Sequence, residues 1–178
     1  MFQVSDSRNE LVSWGKSLFI AIGIAFVIRT FLFAPYMVEG SSMEPTLHDE
    51  EKVFVYKAGE FNRGDIVIIK GTEKNYVKRV IGFPGDQVEM KTDQLYINGE
   101  IVKETYLSEN LKAAQQLGSK LTGDFGPITV PKDHYFVMGD NRLHSTDSRN
   151  GLGFIKGNQI VGTSEFIFFP VTEIRFVK

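Results

Sequence analysis

An apolar segment near the N-terminus, from Ser17 to Val38, constrains this chain most, because Arg29 is its only charged residue. Trp14 and Tyr36 bracket the segment, as aromatic residues do at the two interfaces of a membrane helix. As a helix, the stretch between them is ~33 Å long, enough for one hydrocarbon core and its edges. Arg29 lies towards the distal end, where its side chain can extend to the headgroups. The pattern therefore predicts a single transmembrane α-helix.

Charged residues near this segment indicate its orientation. Arg8 and Lys16 precede it, and the next basic residue after it is Lys52. The residues that follow it are acidic instead, at Glu39, Glu44, Asp49, Glu50 and Glu51. Basic residues collect on the cytoplasmic side, so the N-terminus is predicted to be cytoplasmic and the rest extracytoplasmic. The predicted organisation is a short cytoplasmic N-terminus at 1–13, an anchor at 14–37 and a β-rich extracytoplasmic domain at 38–178.

Three other interpretations of the apolar segment stay open from the sequence. A cleavable secretory signal needs small residues at a cleavage site, and Leu32-Phe33-Ala34 does not offer them. A buried core helix of this length would be unusual in so small a domain. An interfacial amphipathic helix would carry a polar face, which this segment lacks.

Composition excludes several kinds of function. The chain has 178 residues, enough for the anchor and one domain with a real core. Its net charge of −2, without a dense basic block, gives no reason to expect a nucleic-acid partner. Because it has no cysteine, it has no disulfide, no thiolate metal site and no Cys nucleophile.

Beyond Pro35 the pattern favours a mostly β fold, an antiparallel sheet domain that follows the helix. Asn98-Gly99 between two apolar runs predicts a β-hairpin. Residues 107–126 are polar and predict a surface excursion with about one helical turn. Short β-branched and aromatic runs punctuated by Gly and Pro predict strands at 53–56, 66–69, 76–81, 95–97, 100–102, 135–138, 160–162 and 165–169.

Ser42 and Lys78 are the residues most suggestive of chemistry. A serine needs a base to become a nucleophile, and a lysine can be that base if its surroundings keep it neutral. Lys78 and Arg79 lie on opposite faces of a predicted strand, and alternation does not say which one is buried. Only lysine can lose its proton at accessible pH, which favours Lys78, although a surface lysine stays open.

A third polar stretch, Gly139–Arg149, follows an apolar strand. Together with Ser-Met-Glu-Pro-Thr at Ser42–Thr46 and Lys-Arg-Val-Ile-Gly-Phe-Pro-Gly-Asp at Lys78–Asp86, it resembles the bacterial type I signal peptidases. The resemblance is to the short, single-anchor kind of Gram-positive bacteria, and it covers nearly the whole chain. It implies a membrane-bound serine endopeptidase that removes signal peptides from exported preproteins.

We call Ser42–Thr46, Lys78–Asp86 and Gly139–Arg149 the first, second and third box, and the resemblance implies a role for residues in each. Ser42 attacks the scissile carbonyl, and neutral Lys78 takes its proton and later protonates the leaving amine. Ser145 hydrogen-bonds the lysine amine, and Asp147 pairs with Arg149 to hold its loop. The positions that the resemblance implies as supporting structure are Met43, Asp140, Asn141 and Arg142.

The sequence departs from the pattern of the better-known relatives at one position, which concerns the binding of the oxyanion. The Ser42 N–H is expected to donate to the oxyanion. Better-known relatives with two anchors carry a serine two residues before the nucleophile, whereas this chain has Gly40. A second donor must therefore be backbone or water.

The resemblance also implies the partners and the place of the enzyme. Substrates are preproteins with small residues at −1 and −3, fitting shallow apolar pockets and binding as an extended strand. The other expected partners are the lipid bilayer and the secretion translocon. The expected place is the plasma membrane, in a single pass. No metal or cofactor is expected.

Three rival functions can be stated from the sequence. A Ser-His-Asp hydrolase would use His144 and Asp147 beside Ser145, but no Gly-x-Ser-x-Gly elbow is present. A metal enzyme is disfavoured because the histidines are scattered. A membrane-tethered β module that binds an extracellular protein explains the anchor and the sheet but not the three boxes.

Overall fold

The apolar N-terminal sequence forms a helix, α1 (Ser5–Val27), in a computed structural model that describes residues 5–177. A π-helical segment, Ile28–Leu32, continues it. The span Glu10–Thr30 has a mean hydropathy of 2.0 and is long enough to cross a membrane, and its apolar window is 0% buried. A helix that is apolar on all sides and exposed is typical of a membrane span.

The helical anchor ends earlier than the sequence predicts. Phe33–Met37 forms a strand, β1, which pairs antiparallel with β2 (Lys52–Tyr56). Pro35 lacks an N–H and disfavours helical conformation in the residue before it, so the chain turns extended here. The expectation of a helix as far as Tyr36 is therefore wrong. These residues are apolar in part because they belong to the sheet.

The domain is built of antiparallel strands, as the sequence predicts, and these strands form two sheets within residues 5–177. After β1 and β2, the strands are β3 (Ile66–Lys70), β4 (Asn75–Gly82), β5 (Gln87–Lys91), β6 (Gln94–Ile97), β7 (Glu100–Val102), β8 (Phe125–Thr129), β9 (His134–Met138), β10 (Ile155–Lys156), β11 (Ile160–Phe169) and β12 (Arg175–Phe176). The larger sheet has eight strands in the order β1-β2-β11-β3-β4-β9-β10, with β12 paired to β11, and the smaller has the order β7-β6-β5-β8.

The predicted hairpin at Asn98-Gly99 is confirmed. Asn98 has φ 54° and Gly99 has φ 83°, so both turn residues are left-handed, as a two-residue hairpin turn requires. Strands β6 and β7 flank the turn. The two runs expected at 160–162 and 165–169 are instead one strand, β11, with a register irregularity between Ser164 and Phe166.

The excursion at 107–126 is more ordered than predicted. It begins at the end of a 3-10 turn, Thr105–Leu107, and contains a helix of 9 residues, α2 (Ser108–Gln116), and the start of β8. Leu107, Ala114 and Leu121 are buried together in a small cluster. The spacing of Leu107, Leu111 and Ala114 is that of one helical face, a signal that predicts a helix in spite of the polar composition. Two further 3-10 turns, Gly157–Gln159 and Val171–Glu173, complete the fold of residues 5–177.

Candidate active site

Ser42 lies in the loop between β1 and β2, which is held on both sides of the serine. Met43, which the resemblance implies as supporting structure, is buried with Leu47 in the core of the larger sheet. Gly40 has φ 82°, a conformation that favours glycine, and its N–H donates to Asp49 at 2.7 Å. The Ser42 side chain is half-buried. The hydroxyl is thus both held and accessible.

Lys78 on β4 brings its amine to this hydroxyl. Its Nζ lies 2.7 Å from Ser42 Oγ and donates to Val77 O at 2.9 Å. The side chain is 2% exposed, so the surface position left open by strand alternation does not apply. Burial lowers the pKa of Lys78 to about 8, against the opposing attraction of Asp147. The geometry and the pKa are those of an amine that can accept a proton from Ser42.

Arg79 is as buried as Lys78, which the sequence analysis did not anticipate. Its Nε and Nη2 donate to the Asp140 carboxylate at 2.9 and 2.6 Å, and its Nη1 donates to Gly64 O at 2.6 Å. Thr46 Oγ1 also donates to Asp140, at 2.5 Å. Asp140, which the resemblance implies as supporting structure, therefore ties the serine loop and β4 together.

Asp147 and Arg149 pair within the third box. Two guanidinium nitrogens of Arg149 donate to the Asp147 carboxylate at 2.9 and 2.8 Å, and Gly139 N–H donates to it at 3.0 Å. Burial alone would raise the pKa of Asp147, but Arg149 and these donors hold it below its ordinary value. The carboxylate is therefore ionised at neutral pH and orders the loop.

Ser145 differs from expectation. Its Oγ is buried and has no hydrogen-bond partner among the described residues, so the predicted bond to the Lys78 amine is absent. That amine instead bonds to Ser42 and to the Val77 carbonyl. The Ser145 hydroxyl does lie close enough to Asp147 to help lower the pKa of that carboxyl, although without hydrogen-bond geometry.

Gly139 allows the third box to approach the serine loop closely. A Cβ at this position would clash with the Ser145 hydroxyl and with the Ser42 carbonyl oxygen. Two residues later, Asn141 donates from its N–H to Ser42 O and from its Nδ2 to Ser41 O, both at 3.1 Å. The backbone of the nucleophile is thus bound directly by the third box.

The Ser42 N–H donates to no acceptor within the part of the chain that the structure describes. It is therefore free to donate to a group bound at Ser42. The Gly40 N–H is already used by Asp49, so it does not supply the second donor.

Neither a Ser-His-Asp triad nor a metal site is formed by the described residues. His144 is exposed and lines the same cleft as Ser42 and Lys78, but no hydrogen bond joins it to Asp147 among the described residues. Since Ser145 Oγ is also unpartnered, no Ser-His-Asp triad is present there. Residues 5–177 contain no group of three His, Asp or Glu side chains arranged to hold a metal.

Sequence reasoning missed a buried layer behind the third box. Arg142, expected as support, forms a buried ion pair with Glu104, and Tyr106 donates to Glu104 at 2.6 Å. Asn110 on α2 reaches both the serine loop and the third box. These partners are distant in sequence from the boxes and form no motif, so only the fold reveals them.

A cleft of about 200 Å³ opens at Ser42 and Lys78. A neighbouring groove of about 400 Å³ runs beside it along β1, lined by Tyr36, Ile68 and Val77 among others. The two depressions share Val77 on β4.

Known proteins with similar sequences cover almost all of this chain. The family model described as signal peptidase, peptidase S26, matches residues 11–169. A signal peptidase I from Bacillus licheniformis is 61% identical, with 96% of this chain and 95% of that protein covered. Signal peptidase I T from Bacillus subtilis is also 61% identical, covering 96% of this chain and 91% of that protein.

A solved structure supports the same assignment. The crystal structure of a signal peptidase I from Enterococcus faecalis has a TM-score of 0.54 and 35% identity. It covers 59% of this chain and 97% of its own. With the sequence relatives, this likeness confirms the resemblance carried by the three boxes. The chain belongs to the signal peptidase family, peptidase S26, as a serine endopeptidase of the signal peptidase I type.

Proposed function

We propose that Ser42 and Lys78 carry out the cleavage of signal peptides by this chain, with Ser42 as nucleophile and Lys78 as general base. The observation that carries the proposal is the distance of 2.7 Å between a buried lysine amine and the hydroxyl of Ser42, to which it donates. With a pKa of about 8, about a tenth of the lysine is neutral at pH 7. An unperturbed lysine would be neutral in fewer than about one molecule per thousand.

In the first half of the reaction, Ser42 Oγ attacks the scissile carbonyl carbon while its proton passes to Lys78 Nζ. The carbonyl oxygen becomes an oxyanion that accepts from the Ser42 N–H. The C–N bond then breaks, and the Lys78 ammonium returns the proton to the leaving amine. The mature protein departs and the signal peptide remains as an ester on Ser42.

Water completes the reaction. Neutral Lys78 takes a proton from a water molecule as that water attacks the ester carbonyl, and the proton then returns to Ser42 Oγ. The Val77 carbonyl, which accepts from Nζ at 2.9 Å, orients the amine in both halves. Loss of the ester gives a free signal peptide with a new carboxyl end.

Substrate selection follows from the groove along β1, next to the catalytic dyad of Ser42 and Lys78. A preprotein bound as an extended strand along β1 would place alternate side chains on the same face. Small residues at −1 and −3 suit the shallow cleft and the adjoining apolar wall at Tyr36, Ile68 and Val77. Larger side chains at these positions would lift the scissile carbonyl away from Ser42.

The membrane sets the geometry of encounter. Signal peptidases I are anchored in the membrane, and this chain has an N-terminal helix suited to that. We propose one membrane pass with the N-terminus in the cytoplasm, because Arg8 and Lys16 precede the helix and acidic residues follow it. Preproteins emerging from the secretion translocon into the bilayer would then present their cleavage site to a domain tethered at the outer surface.

The proposal is tested with purified chain in detergent and a model preprotein, with the cut located by mass spectrometry. Wild type should cut once, after a small residue, whereas Ser42→Ala and Lys78→Ala should lose at least about 10³-fold in rate. His144→Ala is the matched control, since His144 lines the same cleft, and it should remain active. Binding without cutting by the wild type would favour the non-enzymatic β module instead.

A further inference from the structure

A segment outside the three boxes, Glu104–Thr122, packs directly behind the active site. We call it the backing segment. Its Glu104 forms a buried ion pair with Arg142, and its Tyr106 ring lies 3.8 Å from the Arg79 guanidinium. Thr122 Oγ1 accepts from Arg142 at 3.3 Å. The segment thus contacts a buried arginine of the second box and one of the third.

Asn110 in this segment bonds to the loop that carries Ser42 and to the third box. Its Nδ2 donates to Glu44 O and to Asp140 O, each at 3.1 Å. An amide nitrogen has two hydrogens, so one side chain satisfies both carbonyls. Glu44 lies two residues after Ser42, and Asp140 precedes Asn141, whose N–H binds Ser42 O.

The two carbonyls belong to different loops. One loop carries the nucleophile, and the other binds the nucleophile's backbone through Asn141. A single side chain that bonds both fixes the distance between them. Any change in that distance is passed to Ser42, because Asn141 holds the Ser42 and Ser41 carbonyls.

We propose that Asn110 is a positioning residue that clamps the nucleophile loop to the third box and so holds Ser42 Oγ within reach of Lys78 Nζ. This inference rests on the proposed dyad. Asn110 touches neither reacting atom. Its effect is on the alignment of Ser42, and small misalignments of reacting groups cost rate steeply.

The clamp predicts a specific kinetic signature. Asn110→Ala should lower kcat by about 10- to 100-fold. KM should stay within about twofold, because Asn110 does not line the cleft or the groove where the substrate is proposed to bind. The pH at which activity is half-maximal should not move, since Lys78 stays buried.

Asn110→Asp separates clamping from simple helix stability. Aspartate is nearly the same size but directs carboxylate oxygens at two carbonyl oxygens, so it should lower kcat further than alanine does. Alanine, the better helix former, preserves α2. Gln116→Ala, an exposed position on the same helix, is the matched control and should retain wild-type kinetics.

The experiment measures kcat, KM, pH profile and thermal unfolding for the four proteins with one model preprotein. A loss in kcat that is larger for aspartate than for alanine, at unchanged KM and pH midpoint, supports the clamp. Unchanged kcat, a change confined to KM, or equal losses that follow the loss of thermal stability would each overturn it. An active Ser42→Ala variant would overturn the dyad itself, so the two failures are distinguishable.

Discussion

At the residue scale, the burial of Lys78 links activity to the stability of the domain. Lys78 is 2% exposed, and burial lowers the pKa of its amine from 10.5 to about 8. A lowered pKa means that the unfolded chain binds the proton more tightly than the folded one. At 1.36 kcal/mol per pH unit, the buried ammonium costs about 3 kcal/mol below pH 8. The cost declines as pH rises from 8 to 10.5, where both states are neutral.

Lys78→Met should therefore be inactive but more stable. Below pH 8 we expect its free energy of unfolding to exceed that of wild type by about 3 kcal/mol. The gain should vanish near pH 10.5. Urea unfolding in detergent at pH 7 and pH 10.5 measures this. Lys70→Met, an exposed lysine at the end of β3, should change stability by less than about 0.5 kcal/mol at either pH. A Lys78→Met protein less stable than wild type at pH 7 would contradict the burial cost.

The backbone at Gly139 has no room for a side chain, and we expect activity to depend on this. Alanine there would push against the Ser42 carbonyl oxygen, which is backbone and has nowhere to move without displacing the nucleophile. We expect Gly139→Ala to lower kcat by about 100-fold. Gly123→Ala, where a Cβ meets nothing within 4 Å, is the control. Near-normal turnover by Gly139→Ala would show that the close approach is not required.

At the scale of elements, the buried pair of Arg79 and Asp140 joins β4 to the third box and, through Thr46, to the serine loop. Removing one partner leaves an uncompensated buried charge. Asp140→Ala should cost about 3–5 kcal/mol of unfolding free energy. Replacing both, as Arg79→Met with Asp140→Leu, should recover most of that loss. Urea unfolding of the singles and the double tests this, and a cost below about 1 kcal/mol for Asp140→Ala would contradict it.

Elements that were predictable from sequence are those with a strong local pattern. The hairpin at Asn98-Gly99 and the strand carrying Lys78 follow from turn chemistry and from β-branched runs. β1 was not separable from the anchor, because both are apolar and only pairing with β2 distinguishes them. The helix at Ser108–Gln116 was predicted only as about one turn, because its polar composition is typical of a surface loop.

The residues of the candidate site also fall into those that a local sequence pattern predicts and those that it does not. Ser42, Lys78 and the pairing of Asp147 with Arg149 lie in motifs that can be read along the chain. The bonds of Asn110 and Glu104 join positions 30 or more residues apart, so no local pattern encodes them. The family resemblance also implied a hydrogen bond between Ser145 and the Lys78 amine, but in the structure that amine bonds to Ser42 and to the Val77 carbonyl.

At the scale of the whole molecule, an apolar helix leads directly into the sheet that carries the site, since β1 begins one residue after the π-helical segment. The dyad is therefore tethered close to the end of the anchor. Such a short connection suits a substrate that arrives through the bilayer, and it makes the orientation of the helix decisive for function.

Cysteine labelling tests that orientation, because the chain has no cysteine of its own. Leu117→Cys lies on the domain at an 82% exposed position, and Glu10→Cys lies at an exposed position at the N-terminal end of the apolar span. With a membrane-impermeant maleimide, Leu117→Cys should label in intact protoplasts and Glu10→Cys only after lysis. The reverse pattern would invert the proposed topology.

The central claim is that a neutral Lys78 activates Ser42, and the pH dependence of kcat/KM tests it most directly. This parameter reports ionisations of the free enzyme. The account predicts a rise of about tenfold per pH unit below a midpoint near 8, unchanged in His144→Ala. A midpoint near 6.5 that disappears in His144→Ala, or a rate independent of pH between 6 and 9, would contradict it.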